Sequence, residues 1–315
     1  MGLDTSAPSS NLGLHAGSVT NSVATPSGIQ AVESAKQFYI FGYNISHSLS
    51  PALHNAGFQA LNLPHHYQIH ESEQVDENVK QITSRLDFGG ASVTFPHKLQ
   101  IGSLLDSVSP LGDKIGAINT VVVKESEGKR ILHGDNTDWI GIRRCVAKAG
   151  VQDLRSSAAV VLGAGGAARA ACYAVQTLGI QELIIVNRTL SKAEDLASQF
   201  SELRTRTFSS LEEAAVVDDI AIRVIVGCVP GDDLGEDKIP SGLFEAEEGV
   251  LVEMAYRPQV TGLMTVARRH PMWKIYKGVD VLEEQAYAQF ELWTGKPAPV
   301  GVMRAAMQAK LRANI

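Results

Sequence analysis

The chain is poor in cysteine, with three in 315 residues. Cys145, Cys172 and Cys228 lie far apart and make no C-x-x-C pair. That spacing excludes a disulfide framework and a thioredoxin-like redox pair, and predicts reduced, buried thiols in a reducing compartment. The nine histidines show no zinc-ligand spacing. The adjacent His65 and His66 would point to opposite faces of a strand, so no metal is expected. No apolar run approaches the roughly 20 residues that span a bilayer, so no membrane partner is expected. Positive charge is not in excess: 28 Lys and Arg against 34 Asp and Glu give a net charge of -6. Nothing in that balance favours nucleic acid or an anionic membrane. Residues 1–35 lack arginine, a basic start and a compact apolar stretch, which argues against a signal or transit peptide. Their Ser, Gly, Thr, Asn and Ala predict a disordered tail.

What remains is the composition of a globular enzyme, 44% hydrophobic and 20% charged, with length for two domains. Structure is expected to begin with a strand at 38–42. A helix at 51–61 follows, with Ser50 as N-cap and Pro51 in its first turn. Further elements are a strand at 67–70, a helix at 75–85, a strand at 90–94 and a helical stretch at 99–106. A hairpin pairs 119–124 with 130–133 across Glu127-Gly128. A second unit starts near Trp139 with a helix at 140–149 that stops at Gly150. The apolar runs 158–162 and 182–186 read as buried strands around a helix at 167–178, a β-α-β unit. Strands at 222–226 and 250–253 and helices at 281–293 and 300–312 complete the chain, the helices packing back on the first unit. The fold class is α/β: an N-terminal α/β substrate domain, 36–138 plus 281–315, with a Rossmann-like nucleotide domain, 139–280, inserted.

Gly163, Gly165 and Ala168 fit G-x-G-x-x-G/A, in a turn that follows a buried strand and opens a helix. Such glycines let the backbone approach a pyrophosphate, and free N–H groups at the helix start bind it; Gly166 and Ala167 belong to the same turn. An NAD site usually carries Asp or Glu at the end of the next strand. Here Asn187, Arg188 and Thr189 stand there, with Lys192 further on. Arg188 and Lys192 would attract a 2'-phosphate and Thr189 would hydrogen-bond it, so NADP is expected in preference to NAD.

Upstream lie two polar motifs, Ala91-Ser92-Val93-Thr94-Phe95-Pro96-His97-Lys98 and Gly134-Asp135-Asn136-Thr137-Asp138-Trp139. Singly, Lys98 and Asp138 are a surface lysine and a capping aspartate. Together, just before a nucleotide-binding unit, they suggest proton transfer coupled to hydride transfer.

Six motifs in order resemble the shikimate/quinate 5-dehydrogenase family. They are Ile45 through Asn55, Ser92 through Lys98, Gly116-Ala117-Ile118-Asn119-Thr120, Asn136-Thr137-Asp138, Gly163 through Ala168, and Gln285 through Phe290. Their wording is similar to the fungal branch, the dehydrogenase domain of the arom protein and stand-alone quinate-pathway enzymes. The resemblance implies a cytoplasmic enzyme of aromatic amino acid biosynthesis, a monomer or homodimer. It would interconvert shikimate and 3-dehydroshikimate with NADP(H). It implies Lys98 and Asp138 as the catalytic pair, and Ser48 and Ser50 as carboxylate ligands with both hydroxyls on one side of an extended segment. It further implies Thr94, Asn119 and Gln285 as ligands of ring hydroxyls, Tyr256 as cleft lining and Gly278 at the cofactor. Two departures stand out: Ser92 where the family often has Asn, and Val226-Gly227-Cys228-Val229-Pro230 in place of the usual Asn-x-Thr. Quinate is the alternative substrate, in catabolism with NAD or NADP. A non-catalytic sensor on the same fold is the reading from another class.

Overall fold

A computed structural model describes residues 34–313; the expected tail lies outside them except for its last two positions. The first part of the chain runs β1 (Gln37–Gly42), α1 (Ser50–Ala60), β2 (His66–Glu71), α2 (Glu77–Ser84), β3 (Phe88–Val93), β4 (Ser107–Val108), α3 (Pro110–Ile115), β5 (Thr120–Ser126) and β6 (Lys129–Asp135). These strands make one sheet in the order β2-β1-β3-β5-β6-β4. β1 runs parallel to β2 and β3, while β5 is antiparallel to β3 and β6. Side chains alternate along β1, and both faces are covered. Phe38 and Ile40 pack with Leu53, Phe58, Phe290 and Met303, whereas Tyr39 and Phe41 pack with Val79, Phe88 and Ile101.

The second part runs α4 (Asp138–Ala149), β7 (Ala158–Leu162), α5 (Gly166–Thr177), β8 (Glu182–Val186), α6 (Leu190–Ser198), β9 (Arg204–Phe208), α7 (Leu211–Ala215), β10 (Ile222–Gly227), β11 (Gly249–Glu253), α8 (Gly262–Ala267) and β12 (Trp273–Tyr276). All six strands are parallel, in the order β12-β11-β10-β7-β8-β9. This is the doubly wound order, and its direction of winding reverses between β7 and β10. Every residue of β7, β8 and β11 is buried, which explains their apolar runs, interrupted only by Glu182 at the start of β8 and Glu253 at the end of β11. Helices α9 (Gly278–Thr294) and α10 (Val300–Ala313) then return: α9 packs on α4, α1, β3 and β5, and α10 on α1. The fold is thus an α/β substrate domain with a Rossmann-like unit inserted and C-terminal helices folding back.

Three local expectations are corrected. Ser50 is not the N-cap of α1 but its first residue; Leu49 is the cap and offers no side-chain hydrogen bond. The hydroxyl that meets the helix start is that of Ser48, which accepts from the Ser50 N–H at 3.3 Å. Residues 99–106 form two short 3-10 turns, within His97–Leu99 and Ile101–Leu104, instead of an α-helix. The segment is too short for more, since Asp106 is already tied to β6 through Leu132. α2 starts later than expected because the Asp76 carboxylate accepts from Val79 N–H at 3.0 Å and sets the cap.

His54 of α1 is fully buried between Tyr67, Phe290 and Trp293, and neither ring nitrogen makes a hydrogen bond. Burial pushes its pKa down to about 3. The unfolded chain, with a pKa near ~6.5, binds the extra proton between these two values. The stability His54 contributes is therefore fully present above ~6.5 and falls with pH, by about 1.4 kcal/mol per unit, until about 3. His54→Phe is expected to flatten this acid limb in urea unfolding between pH 7 and 5. Equal slopes in both proteins would show that another group causes it.

Candidate active site

The turn after β3 carries Lys98. Thr94 N–H donates to Phe41 O at 2.9 Å, His97 N–H to Thr94 O at 2.8 Å, and Ile118 N–H to Lys98 O at 2.9 Å. The lysine backbone is thereby pinned from two sides. Its Nζ forms an ion pair with Asp138 Oδ2, and the two side chains are only 15% and 9% exposed, so water screens the pair little. Asp138 opens α4, where the helix N-terminus favours a carboxylate. Its own N–H donates to Asn136 Oδ1 at 2.9 Å, and Asn136 Nδ2 donates to Ala117 O at 2.8 Å.

Asn119, just before β5, joins the pair to the rest of the site. Its Nδ2 donates to Asp138 Oδ1 at 2.9 Å and lies 3.0 Å from Thr137 Oγ1 and 3.2 Å from Gln285 Oε1. Its Oδ1 accepts from Thr137 N–H at 2.8 Å and from the Thr120 hydroxyl at 2.6 Å. Thr137 donates its hydroxyl to Gln285 Oε1 at 2.8 Å. Behind this layer Gln289 donates to Asn119 O at 3.0 Å and Thr120 Oγ1 at 2.9 Å, and accepts from Ser92 at 2.9 Å. Tyr67 closes the chain, donating to Ser92 Oγ at 2.6 Å. A polar network so buried is favourable only when its members satisfy one another, as these do. Ser92 is the link between Tyr67 and Gln289.

Gln289, Thr137, Thr120 and Tyr67 carried no role on sequence grounds. For Gln289 a signal existed: it lies four residues beyond Gln285 on one helix, so the two share a face. Thr94 sits on the lysine turn itself. Tyr256 is 45% exposed, and burial of its hydroxyl end together with the Asp138 charge raises its pKa. Ser48 and Ser50 do not lie in an extended segment: Leu49 between them is in the helical region. Ser50 is buried, and with Ser92 it opposes the rise that burial imposes on the Tyr67 hydroxyl. Ser48 is left as the half-buried, approachable hydroxyl.

The glycine turn lies at the reversal between β7 and β10. Gly163 is left-handed, at φ +104°, and a Cβ there would lie 3.1 Å from Cys228 O. Gly165 faces open space, with nothing within 4 Å of such an atom. The 12-residue helix α5 begins at Gly166 with no side-chain cap on its N–H groups, and includes Ala167 and the buried Ala168. A dinucleotide pyrophosphate fits this cradle. Gly278 opens α9 so close to β11 that a Cβ would stand 2.7 Å from Met254 O. At the end of β8, Asn187 Nδ2 donates to Thr189 O at 2.8 Å. Arg188 and Lys192 are exposed and make no ion pair among the described residues, and the Thr189 hydroxyl caps nothing. Gly227, Cys228 and Val229 form a wall beside the glycine turn, with Cys228 O and Val229 Cγ1 next to Gly163. Glu253 flanks it: its carboxylate oxygens would lie 2.9 and 3.1 Å from a Cβ on Gly227, it accepts from Thr261 Oγ1 at 2.7 Å, and burial raises its pKa.

Three family models match the chain: Shikimate dehydrogenase substrate binding domain over residues 40–121, Shikimate / quinate 5-dehydrogenase over 145–227, and Shikimate 5'-dehydrogenase C-terminal domain over 278–308. Among solved structures, the Shikimate 5-Dehydrogenase of Thermus thermophilus in complex with NADP(H) and shikimate superposes with a TM-score of 0.72 at 32% identity. The match covers 87% of this chain and 99% of that one. This chain belongs to the shikimate/quinate dehydrogenase family. It is also 44% identical over 287 residues to the Pentafunctional AROM polypeptide of Malassezia globosa, covering 88% of this chain and 18% of that protein. A Quinate repressor protein of Emericella nidulans is 36% identical over 308 residues, covering 85% of this chain and 34% of the repressor. The chain thus spans a minor part of the curated relatives it matches. The family membership agrees with the six motifs and with the two-part fold.

Proposed function

We propose that the protein is a shikimate dehydrogenase, interconverting 3-dehydroshikimate and shikimate with NADP(H). The observation that carries this is the Lys98–Asp138 pair, oriented by Asn119 within a buried network and set beside the glycine turn. A bound nicotinamide supplies the hydride in one direction and accepts it in the other. A carbonyl that gains hydride builds negative charge on oxygen. Lys98 stabilises that charge and donates the proton from its ammonium; in reverse its amine takes the proton from the hydroxyl. Asp138 holds the lysine, and Asn119 holds Asp138. Ser48, with Ser50 behind it, binds the substrate carboxylate, while Thr94, Asn119 and Gln285 bind ring hydroxyls and Tyr256 lines the cleft. Gly163, Gly165, Gly166, Ala167, Ala168 and Gly278 hold the dinucleotide, and Asn187, Arg188, Thr189 and Lys192 its 2'-phosphate. We assign 36–138 with 281–315 to the substrate side and 139–280 to the cofactor side, and we place the enzyme in the cytoplasm.

Initial rates for shikimate and quinate, each with NAD⁺ and NADP⁺, test the reading. Shikimate with NADP⁺ is expected to have the highest kcat/KM of the four pairs. Quinate ahead of shikimate would move the assignment to a quinate dehydrogenase. No turnover with any pair would favour a sensor, the reading to which likeness to the quinate repressor points.

A further inference from the structure

Gly166 is a glycine that the dinucleotide pattern does not require, since G-x-G-x-x-A uses positions 163, 165 and 168. Its backbone does not require it either. Gly166 is the first residue of a regular helix and is not among the left-handed glycines. Glycine is also the poorest helix former after proline. Its environment supplies the reason. A Cβ on Gly166 would lie 3.0 Å from Lys98 Cβ, 3.3 Å from Lys98 Cδ and 3.4 Å from Ala117 Cβ. The stem of Lys98 therefore rests directly on the start of α5. It has little room to retreat, because Ile118 N–H holds the Lys98 carbonyl at 2.9 Å and Asp138 holds Nζ. Gly165, one residue earlier, meets nothing within 4 Å. Adjacent glycines thus face different things, one open space and one the lysine.

We propose that Gly166 is a positioning residue for Lys98. Its missing side chain lets the lysine stem lie against the helix that opens the cofactor turn, which sets the ammonium relative to both cofactor and Asp138. This rests on the assignment of Lys98 as the proton donor. Added bulk at 166 displaces the lysine without entering the open side where the pyrophosphate approaches.

The test is Gly166→Ala in the full chain, with kcat, KM for shikimate and Kd for NADP⁺ measured separately. A fall in kcat of at least about tenfold is expected, since a misplacement of about 1 Å can cost roughly 10²-fold and the contact demands a shift of the lysine stem. The Kd for NADP⁺ is expected to stay within about twofold, because Gly166 would hold the dinucleotide through its backbone N–H at the start of α5, which alanine keeps. A purely structural glycine would instead lower Tm and leave the kcat of the folded fraction intact. The Lys98→Gly background separates the two: there the clash is gone, and Gly166→Ala is expected to cost no Tm. If the single variant does not fold, the Lys98→Gly/Gly166→Ala protein does, and its Tm and NADP⁺ Kd match those of Lys98→Gly. Unchanged kcat, a Kd that rises in step with the fall in kcat, or an equal Tm loss in both backgrounds overturns the proposal. Full turnover by Lys98→Ala would remove the catalytic reading itself, independently of Gly166.

Discussion

Lys98→Ala is expected to lower kcat by about 10³-fold or more while the NADP⁺ Kd stays near the wild-type value. Positioned acid–base catalysis contributes roughly 10²–10⁴-fold, and here one group supplies both the proton and the charge opposite the developing oxyanion. At about 1.36 kcal/mol per decade this is ~4 kcal/mol of transition-state stabilisation. The fold is expected to survive. Asp138 keeps the Asn119 amide at 2.9 Å and its place at the start of α4. The lysine side chain is also 15% open to water, so the loss stays below the ~3–5 kcal/mol of breaking a fully buried pair. Lys98→Arg should be nearly as inactive, because a guanidinium does not give up its proton in this range. Near-wild-type kcat for Lys98→Ala, measured with shikimate and NADP⁺ at saturation, would sink the mechanism.

Much of this site was legible because its motifs are locally self-sufficient. The glycine turn takes its meaning from the strand before it, a fully buried apolar run, and from the helix after it, whose alanine-rich face is buried. The hairpin of β5 and β6 was equally plain, since Glu127 and Gly128 occupy the left-handed region that such a turn demands. Asn119 and Asp138 sit at the starts of β5 and α4, and their contact follows once those elements pack. Ser50 shows where local chemistry misleads. A serine before Pro51 has the form of an N-cap, but the helix starts one residue earlier and buries Ser50 near Tyr67, a tertiary demand no local pattern expresses. The elements passed over are mostly short or only partly buried. β9 has no buried residue, and α3 spans six residues, so neither offers a hydrophobic period to detect. The contact of Gly166 with Lys98 is long-range and leaves no trace in spacing.

If the proposed NADP assignment holds, cofactor choice turns on Arg188 and Lys192, exposed residues with no ion pair among the described residues. Arg188→Ala is expected to lower kcat/KM for NADP⁺ by about 10–100-fold and for NAD⁺ by less than about twofold. A hydrogen bond to a charged group is worth ~1.5–3 kcal/mol, and a doubly charged 2'-phosphate loses that interaction while a 2'-hydroxyl has little to lose. The arginine is exposed and unpaired among the described residues, so its removal opens no cavity and leaves no buried partner behind. Lys192 stays nearby, one turn into α6, and limits the loss for the single variant; Arg188→Ala/Lys192→Ala should deepen it. The sign of the salt effect gives a second check. Exposed charges are screened over about 10 Å at 0.1 M salt, so the wild-type preference for NADP⁺ should narrow as ionic strength rises, less so in Arg188→Ala and least in Arg188→Ala/Lys192→Ala. An equal loss with both dinucleotides would mean that Arg188 supports the β8–α6 turn itself. The preference would then have to arise at the Gly227–Val229 wall, where Cys228 and Val229 lie against Gly163.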